Sequence, residues 1–430
     1  MKISPALRAL SSSRVLFALY LVVAVVALAE LGIRVWVSHE IGPRALLYGT
    51  AWDRNTNPDQ AERRWRRTVT DERFRRDNEQ HELAESRPDS VERLGDQHTG
   101  YAKFFPNETK STRDVETGER IRVTINSHGF RGQEFGTQKP PDVVRVLTLG
   151  SSSTFGYYDR DDETYPFYLE RFLNDRCAGT RRFEVINFGI PHETSGETAA
   201  LFLAEGLPLA PDAVTFYDGR NDTVGTVVPT TWGGRARLAL TAHSLLALFV
   251  DRVLIGGHDI VDEAADKFDL DADLRSAIFL RNLEVIREAC AALGIHLVVA
   301  NQQATAAAPY PRPLRERLGR RGVTYAEEAD RLAARMAWGS AIDYYEYALL
   351  LHRRLMDDLR GWARTRSVPF VDVIAALDHD RDQLVSWVHL TPAANRVVAG
   401  LFAEELARRF CPDAPGPAAT DGRRAGETGR

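Results

Sequence analysis

The chain has 430 residues, 44% hydrophobic and 27% charged, which is more than one ordinary domain and less than three. Its net charge of −5 excludes a phosphate-binding surface spread over the whole protein, and only five of its 55 cationic side chains are lysine; no nucleic-acid partner is expected. Three widely spaced cysteines, Cys177, Cys290 and Cys411, form no CxxC or Cys/His cluster, so no metal or cofactor is expected and at most one disulfide can form.

Val15 to Ala29 is an unbroken apolar run, and apolar residues continue past Glu30 through Leu31 to Ile33 and Val35 to Val37. Lys2, Arg8 and Arg14 precede it. The pattern predicts a transmembrane signal anchor over 15–37, with 1–14 cytoplasmic and the remainder periplasmic or extracellular. A single-pass protein of the cytoplasmic (inner) membrane is therefore expected. Ala27-Leu28-Ala29 also fits a cleavage site, so a removed signal peptide is the second reading. Both readings export the rest of the chain.

Residues 38–97 are dense in Arg, Asp, Glu and Gln over most of their length and predict a solvated spacer or a charged juxtamembrane helix. A β-rich lead-in over 98–142 follows, with Arg120 to Asn126 alternating as a half-buried strand and Ser127-His128-Gly129 as a turn. From Val143 the rhythm becomes α/β. Strands are expected at 143–149, 183–187, 213–217, 295–300 and 369–372. Helices are expected at 166–174, from the capping box Thr194-x-x-Glu197, over about 20 residues from Leu274, and after Thr391-Pro392. Alternating apolar strands and helices predict a three-layer α/β/α domain over 143–411, built on a parallel sheet of about five strands. Residues 223–270 and 303–366 exceed what crossovers need and are expected to build or lid a site. The tail, 412–430, is expected to be disordered.

Four short stretches sit where such a sheet gathers ligands, beyond the carboxyl ends of strands or just before a helix. They are Gly150-Ser151-Ser152, Asn187-Phe188-Gly189, Gly219-Arg220-Asn221-Asp222 and Trp387-Val388-His389. Each alone reads equally as a plain turn or, for His389, a packed or capping histidine, and the first could also be a phosphate loop, though no GK[ST] follows. In this order they resemble the four sequence blocks of the SGNH/GDSL hydrolase superfamily over about 143–410. Asn126 to Arg131 resembles the stretch that precedes the domain in its membrane-anchored bacterial members.

The resemblance implies the flavodoxin-like SGNH fold. It implies Ser152 as nucleophile, His389 as base, and an oxyanion hole from the N–H groups of Ser152 and Gly189 with the Asn221 amide. Such chemistry needs a base to take the serine proton and preorganised donors for the oxyanion. Block one carries Ser151 where the family has Asp, and Ser386 stands where the family's His-orienting Asp would be. His389 could then be held by a backbone carbonyl or by Asp382, or the site could be degenerate. The expected activity is hydrolysis or transfer of a small acyl ester, with O-acetyl groups of a glycan as the substrate class. The alternative is an envelope protein that binds glycans or acts as a scaffold.

Overall fold

Side-chain alternation along five parallel strands decides which residues face each layer of the domain. The strands are β5 (Val143–Gly150), β6 (Arg182–Gly189), β7 (Ala213–Tyr217), β8 (His296–Ala300) and β9 (Phe370–Val371), in the spatial order β6-β5-β7-β8-β9. Leu147, Leu149, Val214, Phe216, Leu297 and Val299 point to one face. Val144, Val146, Ala213, Tyr217, Val298 and Ala300 point to the other. Every residue of β5 and β7 is buried, as a sheet covered on both sides requires.

The structure, a computed structural model, describes residues 5–41, 91–94, 101–113, 119–223, 264–306, 323–340 and 342–412, with isolated positions between 236 and 261. The chain divides into two compact units. One comprises residues 1–79, 226–264 and 341–344; the other comprises 80–225, 265–340 and 345–430.

In the first unit, α1 (Pro5–Ile41) contains the window Phe17–Val35, long and apolar enough to cross a membrane. The helix extends beyond the predicted span at both ends. Glu30, inside the window, is compensated locally. Its carboxylate accepts from Arg34 Nε at 2.6 Å, one turn on, and from Ser244 Oγ and Leu246 N at 2.8 Å each.

In the second unit, the first face of the sheet is covered by α4 (Ser195–Leu201), α5 (Ala264–Leu293) and α7 (Tyr344–Thr365), the last contributing Leu355, Met356, Leu359 and Ala363. Chain order places α2 (Ser152–Phe155), α3 (Tyr165–Arg176) and α6 (Tyr325–Ala337) among them. The second face is covered by α3 and by α9 (Pro392–Phe410), which follows the short α8 (Val373–Leu377). Each large apolar side chain buried here contributes about 1.5–3 kcal/mol. Threonine caps define these helix starts, those at Thr194 and Thr391 being the signals read from the sequence. Thr164 accepts from Phe167 N, Glu197 Oε2 accepts from Thr194 N, and Thr391 accepts from Ala394 N ahead of Pro392.

Several expected boundaries differ. α5 runs over 30 residues and starts ten before Leu274, because its first turns also bury a face. The charged spacer ends in a strand: β1 (Val91–Leu94) pairs antiparallel with β2 (Tyr101–Phe104). A second hairpin pairs β3 (Thr109–Arg113) with β4 (Arg120–Thr124). Within 303–366, α7 is a structural layer of the domain rather than a lid. Residues 307–322, most of 224–263, most of the spacer and the tail from 413 lie outside the described residues. Cys177, after α3, and Cys411, after α9, form a disulfide with Cα atoms 5.9 Å apart, and Cys290 is a buried thiol.

Candidate active site

The strand order corresponds to 2-1-3-4-5 in order of appearance, so the winding direction reverses between β5 and β7. Ser152 begins α2 directly past β5, and Gly219 to Asp222 follow β7. As the first residue of its helix, Ser152 has an N–H with no intrahelical acceptor, which suits it to an anionic oxygen. Gly156 closes α2 at φ +83°, a left-handed cap that a side chain would strain.

His389 is brought to the same rim by a tie one residue away from each partner. Ser153 Oγ donates to the Val388 carbonyl at 3.0 Å. Gln302 Nε2 donates to Ser153 Oγ at 3.1 Å, and Gln302 Oε1 accepts from Arg220 N at 2.9 Å. One buried amide thus links the turns that carry Ser152 and Asn221. The Tyr157 ring stacks on His389 with centroids 5.1 Å apart, and Tyr158 meets it edge-on at 5.1 Å. Ser152 and His389 each retain 8% exposure. No hydrogen bond joins Ser152 to His389 among the described residues; such bonds often form only around substrate.

The partner of His389 Nδ1 is the hydroxyl of Ser386. Asp382 lies in the short turn Arg381–Gln383, while Ser386 lies on the bend directly before the histidine.

Gly189, expected as an oxyanion donor, ends β6 against α2. Its single N–H already donates to Asn187 Oδ1 at 2.9 Å. The glycine is also needed sterically, because a Cβ there would lie 2.2 Å from Phe155 N. Strand β6 and α2 could not then approach. Asn221 Nδ2 donates to the Glu193 carbonyl at 2.8 Å. An amide carries two N–H groups, so this bond leaves Asn221 a second donor.

Two residues not anticipated from the sequence, Asp218 and His352, pack beside the site. Ser151, at the family's Asp position, donates to Asp218 Oδ1 at 2.8 Å. Asp218 is fully buried and also accepts from Gly219 N; burial, then Asp222, raises its pKa to about 8. The register brings them together: β5 and β7 pair Leu149 with Phe216, so two residues further Ser151 faces Asp218. A carboxylate thus meets Ser151 from the turn that follows the neighbouring strand. His352, beneath the same turns, accepts or donates at Nδ1 with the Tyr325 hydroxyl at 2.8 Å. Burial, then Arg220, lowers its pKa to about 3, which keeps it neutral. Asp222, held by Ser195 N and Oγ, is raised to about 6 by burial.

Residues 148–346 match the model of the GDSL-like lipase/acylhydrolase family. No curated protein matches the chain. Among solved structures, the chain is similar to the lipase/acylhydrolase from Enterococcus faecalis, at 14% identity and a TM-score of 0.35 over 63% of this chain and 100% of that one. It is similar to the aryl esterase of M. smegmatis at 17% identity and a TM-score of 0.34, over 62% and 99% of the two chains. Likeness to the acetyl xylan esterase AlAXEase is at 13% identity and a TM-score of 0.35, over 61% and 100%.

Proposed function

Over residues 148–346 the chain belongs to the SGNH superfamily of GDSL-like lipases and acylhydrolases, and we propose that it is an extracytoplasmic serine esterase for small acyl groups. Ester hydrolysis is the chemistry of the family. The observation that carries the assignment to this site is the seating of His389. Ser153 ties the preceding carbonyl to the nucleophile turn, and Ser386 occupies Nδ1.

With the proton on Nδ1 donated to Ser386 Oγ, Nε2 is left as the base. It takes the Ser152 hydroxyl proton as Oγ attacks the acyl carbonyl carbon. The resulting oxyanion is met by Ser152 N–H and the second N–H of Asn221. The imidazolium then protonates the leaving alkoxide, and water releases the acid from the acyl-enzyme by the reverse sequence. Low exposure of Ser152 and His389 supports an acyl group of acetyl size, and O-acetyl esters of a glycan are the proposed substrate class. The Cys177–Cys411 disulfide and the apolar α1 support an exported domain held at the cytoplasmic membrane.

A fluorophosphonate probe should label the wild type and not Ser152→Ala; equal labelling of both would remove Ser152 as nucleophile. A second reading, a glycan-binding protein without turnover, is favoured by the neutral partner on His389. It requires that p-nitrophenyl acetate is not hydrolysed, whereas turnover abolished by His389→Ala excludes it.

A further inference from the structure

We propose that Arg131, from the lead-in segment, is a positioning residue that fixes the nucleophile turn, an inference that rests on Ser152 being the nucleophile. The helix carrying Ser152 is a single turn, Ser152–Phe155. Helices that short do not hold themselves, and their last carbonyls have no intrahelical donors.

Asn187 Nδ2 reaches the Phe155 carbonyl only at 3.4 Å and Asp159 N donates to the Gly156 carbonyl at 3.1 Å, and Arg131 adds the shorter, charged donors. Its Nη1 donates to the Phe155 carbonyl at 3.0 Å and also to the Gly156 carbonyl, and its Nη2 donates to the Asp159 carbonyl at 2.6 Å. Nε pairs with Asp161 Oδ1 at 3.0 Å. The guanidinium carbon lies 5.0 Å from the Phe155 ring centre. A planar fork of five N–H groups can gather several carbonyls where an ammonium cannot. A cation at the carboxyl end of a helix is also favoured by the backbone dipoles.

Burying this charge, at 3% exposure, is costly unless it is matched. Burial pulls its pKa down, while Asp161 and Asp159 oppose the shift. The charge is therefore placed where three carbonyls and a carboxylate receive it. Its backbone is pinned as well, by bridges to Ile125 and Asn187.

The constraint reaches both halves of the proposed chemistry. Gly156 N and Tyr157 N donate to the Ser152 carbonyl at 3.0 and 3.2 Å, so the carbonyls that Arg131 holds are one hydrogen bond from the nucleophile's own peptide. The Tyr157 ring in turn stacks on His389. From the lead-in segment, Arg131 thus orients both Ser152 and the wall of the base without itself reacting.

The test uses the full chain with Arg131→Met and Arg131→Lys. Amide hydrogen exchange over 152–157 should rise about tenfold or more in Arg131→Met while β5 and α9 keep wild-type protection. Fluorophosphonate labelling of Ser152 and kcat on p-nitrophenyl acetate should fall about 100-fold with KM nearly unchanged, as expected for a displaced nucleophile. Arg131→Lys should recover part of the rate, since one ammonium replaces some of the donors. Wild-type exchange over 152–157 in a folded Arg131→Met overturns the proposal. So does protection lost evenly across the domain, or failure of both variants to fold, because Arg131 would then serve the whole fold. Wild-type protein that is never labelled, but whose 152–157 exchange still responds to Arg131, instead overturns the nucleophile reading and supports the clamp.

Discussion

The hydroxyl of Ser386 lies on Nδ1 of His389, three residues later in the same bend, where the family pattern has a carboxylate. A hydroxyl can accept the Nδ1 proton and fix the ring, but it cannot stabilise the imidazolium as an anion does. Ser386→Ala should therefore lower kcat by about 10- to 100-fold, less than the loss of a true triad acid. Ser386→Asp should raise kcat. Steady-state kinetics on p-nitrophenyl acetate check both; a Ser386→Ala enzyme with wild-type kcat would leave the ring oriented by something else.

Asp218 makes stability depend on pH. Burial, then Asp222, raises its folded pKa to about 8, above the ordinary carboxylate value. Between those two values the unfolded chain binds fewer protons, so stability falls as pH rises. The contribution is full below about pH 4 and lost through about pH 8. Asp222, raised to about 6, has the same sign over a narrower window. Melting curves from pH 5 to 9 should show a decline that is shallower in Asp218→Asn, which retains an oxygen for the Ser151 hydroxyl. An identical slope in the variant would remove Asp218 as its source.

Gly189→Ala should destabilise the domain and displace the nucleophile helix, because the added Cβ would sit 2.2 Å from backbone Phe155 N. Overpacking against backbone has no flexible side chain to yield, and a cost of about 1–3 kcal/mol or more is expected. Thermal melting measures it, and an unchanged midpoint would contradict the close approach.

The disulfide joins residues 234 apart in sequence. Closing so long a loop in the unfolded chain is worth about 5 kcal/mol on the chain-entropy account. Cys177→Ser, or reduction with dithiothreitol, should lower the denaturant midpoint markedly. The buried Cys290, with its thiol pKa raised to about 12 by burial, should stay unreactive toward maleimide until the protein unfolds. A midpoint insensitive to reductant would show the bridge to be unformed.

Local signals carried most of the fold. Period-two alternation, fully apolar strands and Thr caps act over a few residues, so β5, β7, α3 and α9 were legible from the chain alone. The positions of Ser152, Asn221 and His389 beyond strands or before a helix were legible for the same reason. What Gly189 does was not, because its N–H and its missing Cβ are judged by Asn187 and Phe155 in space. Nor was the compensation of Ser151 by Asp218, which depends on the register of β5 against β7. Arg131 reaches the nucleophile turn across 24 to 28 residues of sequence, a distance no periodicity spans. The sequence by itself determined which elements form and where their reactive ends lie, since those follow from neighbouring side chains. Only the tertiary structure decided where the Gly189 N–H rests, which hydroxyl meets His389 and which cation steadies the turn after Ser152, since those are set by folded contacts rather than by local pattern.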